Sequence, residues 1–472
     1  MAPPTESRHS KHVALFVATI SAFITPFLGS SVTVALPTIG REFSMDAIAL
    51  SWVSTIYLLA SAIVLVPAGR LADIYGRKRL WLYGIALYSV CSLLAAAAPS
   101  GAWLIACRGL QAVGGALIYA TGVAILTSVY PREERGKALG INVAAVYSGL
   151  SAGPLLGGLL TEQWGWRCIF LVTVPLGIVA IVLILWQLRD EWAEARGESF
   201  DLAGSAIYAL ALVAIMYGVS VLPGRLGAGL LLAGAAALLV FVWWELRAQK
   251  PVLDVRLFRG NPVFAFSNLA ALINYSATSG VTFLLSLYLQ YVQGLDPSRA
   301  GVILIAQPIM MTGLSLLAGR LSDRVQPRIV ASAGMALTAT GLLLLTTIGE
   351  DTPQSFIVAV LAMLGIGFGL FSSPNTNAVM SSVDRRYYGV ASGTLGTMRL
   401  TGQMTSLGIA MTLFALYMGP TQVTVENHAA FVAAVKMAFL IFGLLCCGGV
   451  VASMVRGKVR ELEPKSARTG AI

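Results

Sequence analysis

The sequence predicts an all-α polytopic membrane protein with 14 transmembrane helices: two six-helix bundles plus two linker helices. Three observations carry this. The 472 residues are 57% hydrophobic and 11% charged, with a mean hydropathy of +0.78, whereas a soluble domain runs about 45–50% apolar and about 25% charged. Apolar runs near 20 residues recur along the whole chain, each long enough for a hydrocarbon core of about 30 Å. Finally, Ala68-Gly69-Arg70-Leu71-Ala72-Asp73 recurs as Ala318-Gly319-Arg320-Leu321-Ser322-Asp323, 250 residues on.

The apolar segments run 12–38, 47–71, 80–98, 101–130, 138–160, 168–188, 203–223, 227–245, 263–292, 300–320, 329–349, 354–380, 391–418 and 429–454. In lipid the backbone must satisfy its own hydrogen bonds, so these are helices. The two repeat copies end spans two and ten. Equal six-helix halves would put the second copy at the end of span eight, so spans seven and eight are extra and lie between the halves. The expected organisation is a segment 1–11, a first bundle 12–188, a central segment 189–260, a second bundle 261–454 and a tail 455–472. The longest connectors, Arg189–Asp201 and Arg247–Pro262, are too short to fold alone. The first apolar stretch is too long for a signal-peptide core.

An even number of spans puts both termini on one side. With the N-terminus in the cytoplasm, 25 of the 32 Lys and Arg fall in cytoplasmic segments, and only Arg41, Arg167, Arg225 and Arg299 fall outside. Arg108, Arg399 and Lys436 lie within spans. This asymmetry obeys the positive-inside rule. The net charge of +10 is therefore topological and no mark of nucleic-acid binding. The five cysteines have no zinc-site spacing and the three histidines form no cluster. No Gly-x-x-x-x-Gly-Lys phosphate loop occurs. The sequence thus offers no metal site, no cofactor and no paired nucleophile and base for an enzyme.

Several motifs carry specific chemistry. Gly69-Arg70-Leu71-Ala72-Asp73-Ile74-Tyr75-Gly76-Arg77-Lys78-Arg79 closes span two. Gly69 permits close approach of another helix, Asp73 offers a charge to a basic group or a helix N-terminus, and the basic run anchors to headgroups. In span four, Arg108 lies about two turns from the outer surface, where a guanidinium is costly without a cavity or partner. Gln111 is on the same face. In span five, Gly149, Gly153, Gly157 and Gly158 with Pro154 form a small-residue stripe suited to tight packing. Span nine carries Asn268, Asn274, Tyr275 and Ser276, and span twelve carries Asn375 and Asn377 after Pro374. Such groups either line a cavity or join helices. In span thirteen, Gly396, Arg399 and Gln403 share one face. Lys436, near the outer end of span fourteen, is placed to snorkel. Trp52, Tyr57, Tyr119 and Tyr147 are candidate aromatic walls. Two like-oriented halves are a transporter architecture, with the site between them near the midplane.

The eleven-residue string resembles the loop 2–3 signature of the major facilitator superfamily. Arg108-Gly109-Leu110-Gln111-Ala112-Val113-Gly114-Gly115 resembles its fourth-helix motif, and Gly149 to Gly158 its fifth-helix antiporter motif. Trp166-Arg167-Cys168-Ile169-Phe170, Val174-Pro175-Leu176-Gly177 and Val34-Ala35-Leu36-Pro37 are similar to the fourteen-span drug:proton antiporter branch. The resemblance implies efflux of amphipathic small molecules through a multi-pass plasma-membrane protein, by alternating access and coupled to protons. It implies a role in proton transfer for Arg108, and it implies that the fifth-helix glycines pack the two halves together.

One departure stands out. That branch typically has an Asp in span one, and the matching position here is Gly29; its usual Asn is Thr33. No acid lies in the interior of any span, which leaves Asp46 or Asp73 as proton carriers at the periphery. The cavity candidates Arg108, Gln111, Arg399, Gln403, Asn274 and Asn375 are neutral to positive, favouring neutral or anionic substrates over dications. Two alternatives remain open. One is an uncoupled facilitator or lipid or glycolipid flippase of the same fold; the other, of another class, is a membrane sensor or scaffold.

Overall fold

The computed structural model describes residues 8–45, 47–418 and 428–457. Asp46 and the end segments 1–7 and 458–472 lie outside the described residues. Fourteen long helices follow one another: α1 Arg8–Glu42, α2 Ala47–Tyr75, α3 Arg77–Ala96, α4 Gly101–Val129, α5 Arg132–Trp164, α6 Arg167–Gln187, α7 Leu202–Ser220, α8 Arg225–Glu245, α9 Pro262–Val292, α10 Arg299–Arg324, α11 Pro327–Thr347, α12 Gln354–Ser381, α13 Tyr388–Met418 and α14 His428–Val455. Among the described residues, thirteen are apolar enough to cross a membrane by composition alone. The other, α13, has Arg399, Gln403 and many Gly, Ser and Thr residues, but its 31 residues span about 46 Å at 1.5 Å each.

The predicted segments match these helices, with differences at the ends. Apolarity stops where charge begins, but the helical backbone continues: α5 starts at Arg132 and α2 runs on to Tyr75. α9 is interrupted at Ser279 and Gly280, and its last turn, Tyr288–Val292, is a wider π turn. The Gly280 N–H donates to Ser406 Oγ at 2.8 Å, so the break leaves that donor satisfied.

In the first bundle α1 packs on α5, α2 and α3 pack on α4, and α3 packs on α6. In the second, α10 and α11 pack on α12, α9 on α13 and α14, and α11 on α14. α4 is the most buried span and α8 the least. The α7–α8 hairpin sits at the edge, with α7 touching both α2 and α13. The Tyr208 hydroxyl donates to Thr397 Oγ1 at 2.9 Å there.

The bundles meet along α5 with α10 and α12, and along α13 with α2 and α4. The helices come close because glycines face each other. A Cβ on Gly69 would lie 2.1 Å from the Gly389 carbonyl oxygen, and one on Gly319 would lie 2.4 Å from that of Gly136.

The Gly149–Gly158 stripe does something else. A Cβ on Gly149 would meet the Phe23 carbonyl at 2.4 Å, one on Gly153 would meet Ser30 Oγ at 1.8 Å, and one on Gly157 would meet Ser31 Cβ at 2.5 Å. The stripe seats α5 on α1 inside the first bundle. Packing between the halves, which the resemblance implies for these glycines, belongs instead to Gly136 and Gly140, about three turns earlier on α5. Pro154 is exposed and the helix runs through it.

Candidate functional site

A cavity of about 30 Å³ lies at the seam, lined from α4, α5, α9, α12 and α13. Tyr119, Asn142, Tyr147, Tyr275, Asn375 and Arg399 are its polar side chains of note. The half-buried Arg399 guanidinium sits over the Tyr275 ring, 5.2 Å from its centroid. Tyr119 and Tyr147 flank the same group. Tyr147 meets Phe368 edge-on at 5.7 Å, and so does Tyr275 at 5.2 Å. Asn375 donates through Nδ2 to the Ser267 carbonyl at 3.1 Å and accepts from Arg456 Nη1 at 2.9 Å. Burial lowers the pKa of Arg456, just past the end of α14, to about 10.

The cavity brings together only part of the predicted set. Arg399 and Asn375 line it. Arg108 and Gln111 do not: they lie inside the first bundle. Arg108 Nε donates to the Val53 carbonyl at 3.2 Å, Nη1 donates to Gln111 Oε1 at 2.5 Å, and Gln111 Nε2 donates to Ser92 Oγ at 2.7 Å. Tyr57 covers the guanidinium at 4.5 Å. This network joins α2, α3 and α4. Gln403 is half-buried one turn beyond Arg399, and Asn274 is fully buried beside Tyr275 with neither amide atom hydrogen-bonded; neither lines the cavity. Trp52 packs on Tyr217 of α7. Asn142, a cavity residue, went unremarked in the sequence, although a lone amide in an apolar run is the relevant signal.

On α1, Ala22 packs against the cluster of Val146, Tyr147, Tyr275, Met311 and Phe368. Gly29 and Thr33 follow it by 7 and 11 residues, on the same helix face. A Cβ on Gly29 meets nothing within 4 Å.

The other half of the site is the contact that closes it. Asp73 is fully buried. Its Oδ1 accepts from the Gly389 N–H at 2.9 Å and its Oδ2 from the Val390 N–H at 3.0 Å, in the first turn of α13. Arg77 donates to Asp73 Oδ1 through Nε at 2.9 Å and Nη2 at 2.7 Å, to Ser128 Oγ at 2.9 Å, and to the Arg385 carbonyl. The turn between α2 and α3 is made at Gly76, whose φ of +112° favours glycine. The second copy mirrors the first. Asp323 Oδ1 accepts from the Gly136 N–H at 2.7 Å and Oδ2 from the Lys137 N–H at 2.9 Å, in the first turns of α5. Asp73 thus caps the positive end of α13, and Asp323 takes the corresponding position one turn further into α5.

The 189–201 connector straps this seam. Arg77 N donates to the Trp192 carbonyl at 2.9 Å, Ala195 N to the Asp73 carbonyl at 3.0 Å, and Lys78 N to Glu191 Oε1 at 2.9 Å. Glu198 lies 2.6 Å from Arg70 of the first bundle and 3.7 Å from Arg386 in the α12–α13 connector. A polar cavity of about 200 Å³ under the strap is lined by Arg70, Glu198, Glu245, Lys250 and Arg386 among others. Eight hydrogen bonds between the bundles lie between the Asp73 and Asp323 ends of the helices and their middles.

Two like bundles closed on one side around a midway cavity define a membrane transporter. The chain belongs to the Major Facilitator Superfamily, whose sequence profile matches residues 18–407. It is 29% identical to a riboflavin transporter of Clostridioides difficile, over 93% of this chain and 96% of the relative. It is 33% identical to a cephamycin export protein of Amycolatopsis lactamdurans, over 87% and 86%. It is 32% identical to a multidrug resistance protein of Mycobacterium tuberculosis, over 83% and 73%. In fold it matches the crystal structure of the human organic anion transporter MFSD10 with a TM-score of 0.65 and 14% identity, covering 94% of this chain and 100% of that one.

Proposed function

We propose that the protein exports amphipathic small molecules by alternating access, and that the conformation described above is the one closed towards the cytoplasm. The supporting observation is the reciprocal pair of locks, Asp73 on α13 and Asp323 on α5, on the side that carries most of the Lys and Arg. By the positive-inside rule that side is cytoplasmic, with both termini there. The moving bodies are then 12–188 and 261–454, with 189–260 between them. The cavity has room for about one water, so a larger occupant requires the bundles to part, which is the motion alternating access supplies. The export and resistance activities named for two relatives support the direction.

The energy source has two readings. Proton coupling is the branch habit. An uncoupled facilitator is favoured by one observation: the described cavity lining contains Arg399 and no carboxylate. Reconstitution into liposomes decides between them. Export accelerated by an imposed pH gradient supports proton coupling. Equal rates with and without the gradient support facilitation, and the absence of any substrate flux by folded protein would overturn the transport reading.

A further inference from the structure

We infer that the central cavity selects planar aromatic compounds bearing an anionic oxygen, with Arg399 as the anchoring group. The inference rests on the transporter reading of that cavity. Arg399 is the one charged side chain in the described lining. A guanidinium at that depth is costly unless something offsets it. Here the offset comes from ring faces: the guanidinium lies over Tyr275 with Tyr119 and Tyr147 beside it. A ring face attracts the cation and Tyr119 engages one donor of the guanidinium; a guanidinium carries five N–H donors, and a pair of them matches a carboxylate or phenolate.

The surrounding groups fit the same occupant. The Tyr147 hydroxyl is buried, at 2% residue exposure, with the polar groups of Ser372 and Tyr275 beside it. Together with Asn142 it is positioned to meet ring oxygens. The rings of Tyr119, Tyr147, Tyr275 and Phe371 give flat apolar walls that suit offset or edge-on packing of a polycyclic ligand. The opposite charge class is disfavoured. The face of α1 that continues outward from Ala22 carries Gly29 and Thr33, with no acid, so a cation in the cavity meets Arg399 with no carboxylate to offset the repulsion. Open space at Gly29 shows that nothing steric forbids an acid there.

Two xanthene dyes of closely similar skeleton, anionic fluorescein and cationic rhodamine 123, test this by fluorescence anisotropy on the purified protein and by flux in liposomes. The expected result is at least tenfold tighter binding of fluorescein. Arg399→Gln should remove most of that preference and Arg399→Lys should keep part of it. Gly29→Asp, which leaves Arg399 intact, should move the ratio towards rhodamine 123. Equal or tighter binding of rhodamine 123, an unchanged ratio in Arg399→Gln, or no binding of either dye would overturn the inference. Selective fluorescein binding without flux of any compound would sink the transport reading and leave the cavity's preference standing. Flux of rhodamine 123 alone would do the reverse.

Discussion

Asp73 and Asp323 stand 250 residues apart in sequence and perform the same act in opposite directions. Each projects from the last turns of its helix, in its own bundle, and accepts two backbone N–H groups from the first turns of a helix in the other: α13 for Asp73 and α5 for Asp323. The sequence repeat is thereby also a repeat of contacts. Both contacts lie at the same end of the bundles, as the proposed alternating access requires of a closed state.

Substituting Asp73 should weaken closure more than substituting Asp323. Asp73 and Arg77 are both fully buried and joined at 2.7 Å, and removing one partner of such a pair typically costs about 3–5 kcal/mol. Asp323 accepts two backbone N–H groups from the second turn of α5, and such charge-assisted hydrogen bonds are worth about 1.5–3 kcal/mol each. In Asp73→Asn, a cysteine placed at Tyr119 should be alkylated faster by an impermeant maleimide from the cytoplasmic side, with a smaller gain in Asp323→Asn. Equal protection in all three proteins would argue against the locks.

Bulk at the helix contacts should act by position. Gly69→Ala places a methyl 2.1 Å from the Gly389 carbonyl oxygen, so α2 and α13 must separate and the closed form must lose population. Gly29→Ala meets nothing within 4 Å and should leave the same accessibility unchanged. A matched response from the two variants would show that the close approach does not govern closure.

The Glu198 strap should be sensitive to salt. Glu198 is about a quarter exposed, so its pairs with Arg70 and Arg386 are partly screened and worth about 1 kcal/mol or less. Raising salt from 0.05 to 0.5 M should increase cytoplasmic alkylation in the parent protein by a few-fold. Glu198→Gln should start near the high-salt value and respond little. A parent protein indifferent to salt would rule out an electrostatic strap.

The two span arginines should separate by phenotype. Arg108→Ala leaves Gln111 Oε1 without its donor inside the first bundle, a loss of about 1–3 kcal/mol added to lost packing. Its thermal midpoint in detergent should fall while the dye preference persists. Arg399→Gln should behave the opposite way, with near-normal stability and altered binding. A changed dye ratio in Arg108→Ala would place that residue in the substrate path after all.

Membership of the set of helices was legible in the sequence, because crossing a bilayer is a local property: about 20 apolar residues suffice wherever they occur. Span number, the asymmetry of Lys and Arg and the Asp73–Asp323 repeat follow from such windows, and so does the reading of Asp73 as a partner for a helix N-terminus. The assignment of faces was not legible. Arg108 and Arg399 look alike in sequence, each about two turns inside a span, but one finds Gln111, Val53 and Tyr57 and the other finds a cavity. The Gly149–Gly157 stripe declares that something packs tightly on α5 without declaring that the partner is α1. Glu198 sits in a connector with no motif and gains its meaning only where Arg70 and Arg386 meet it. Hydropathy fixes that a helix lies in lipid. Which of its faces meets which neighbour is decided by side chains hundreds of residues away, and only the packed tertiary structure brings those together.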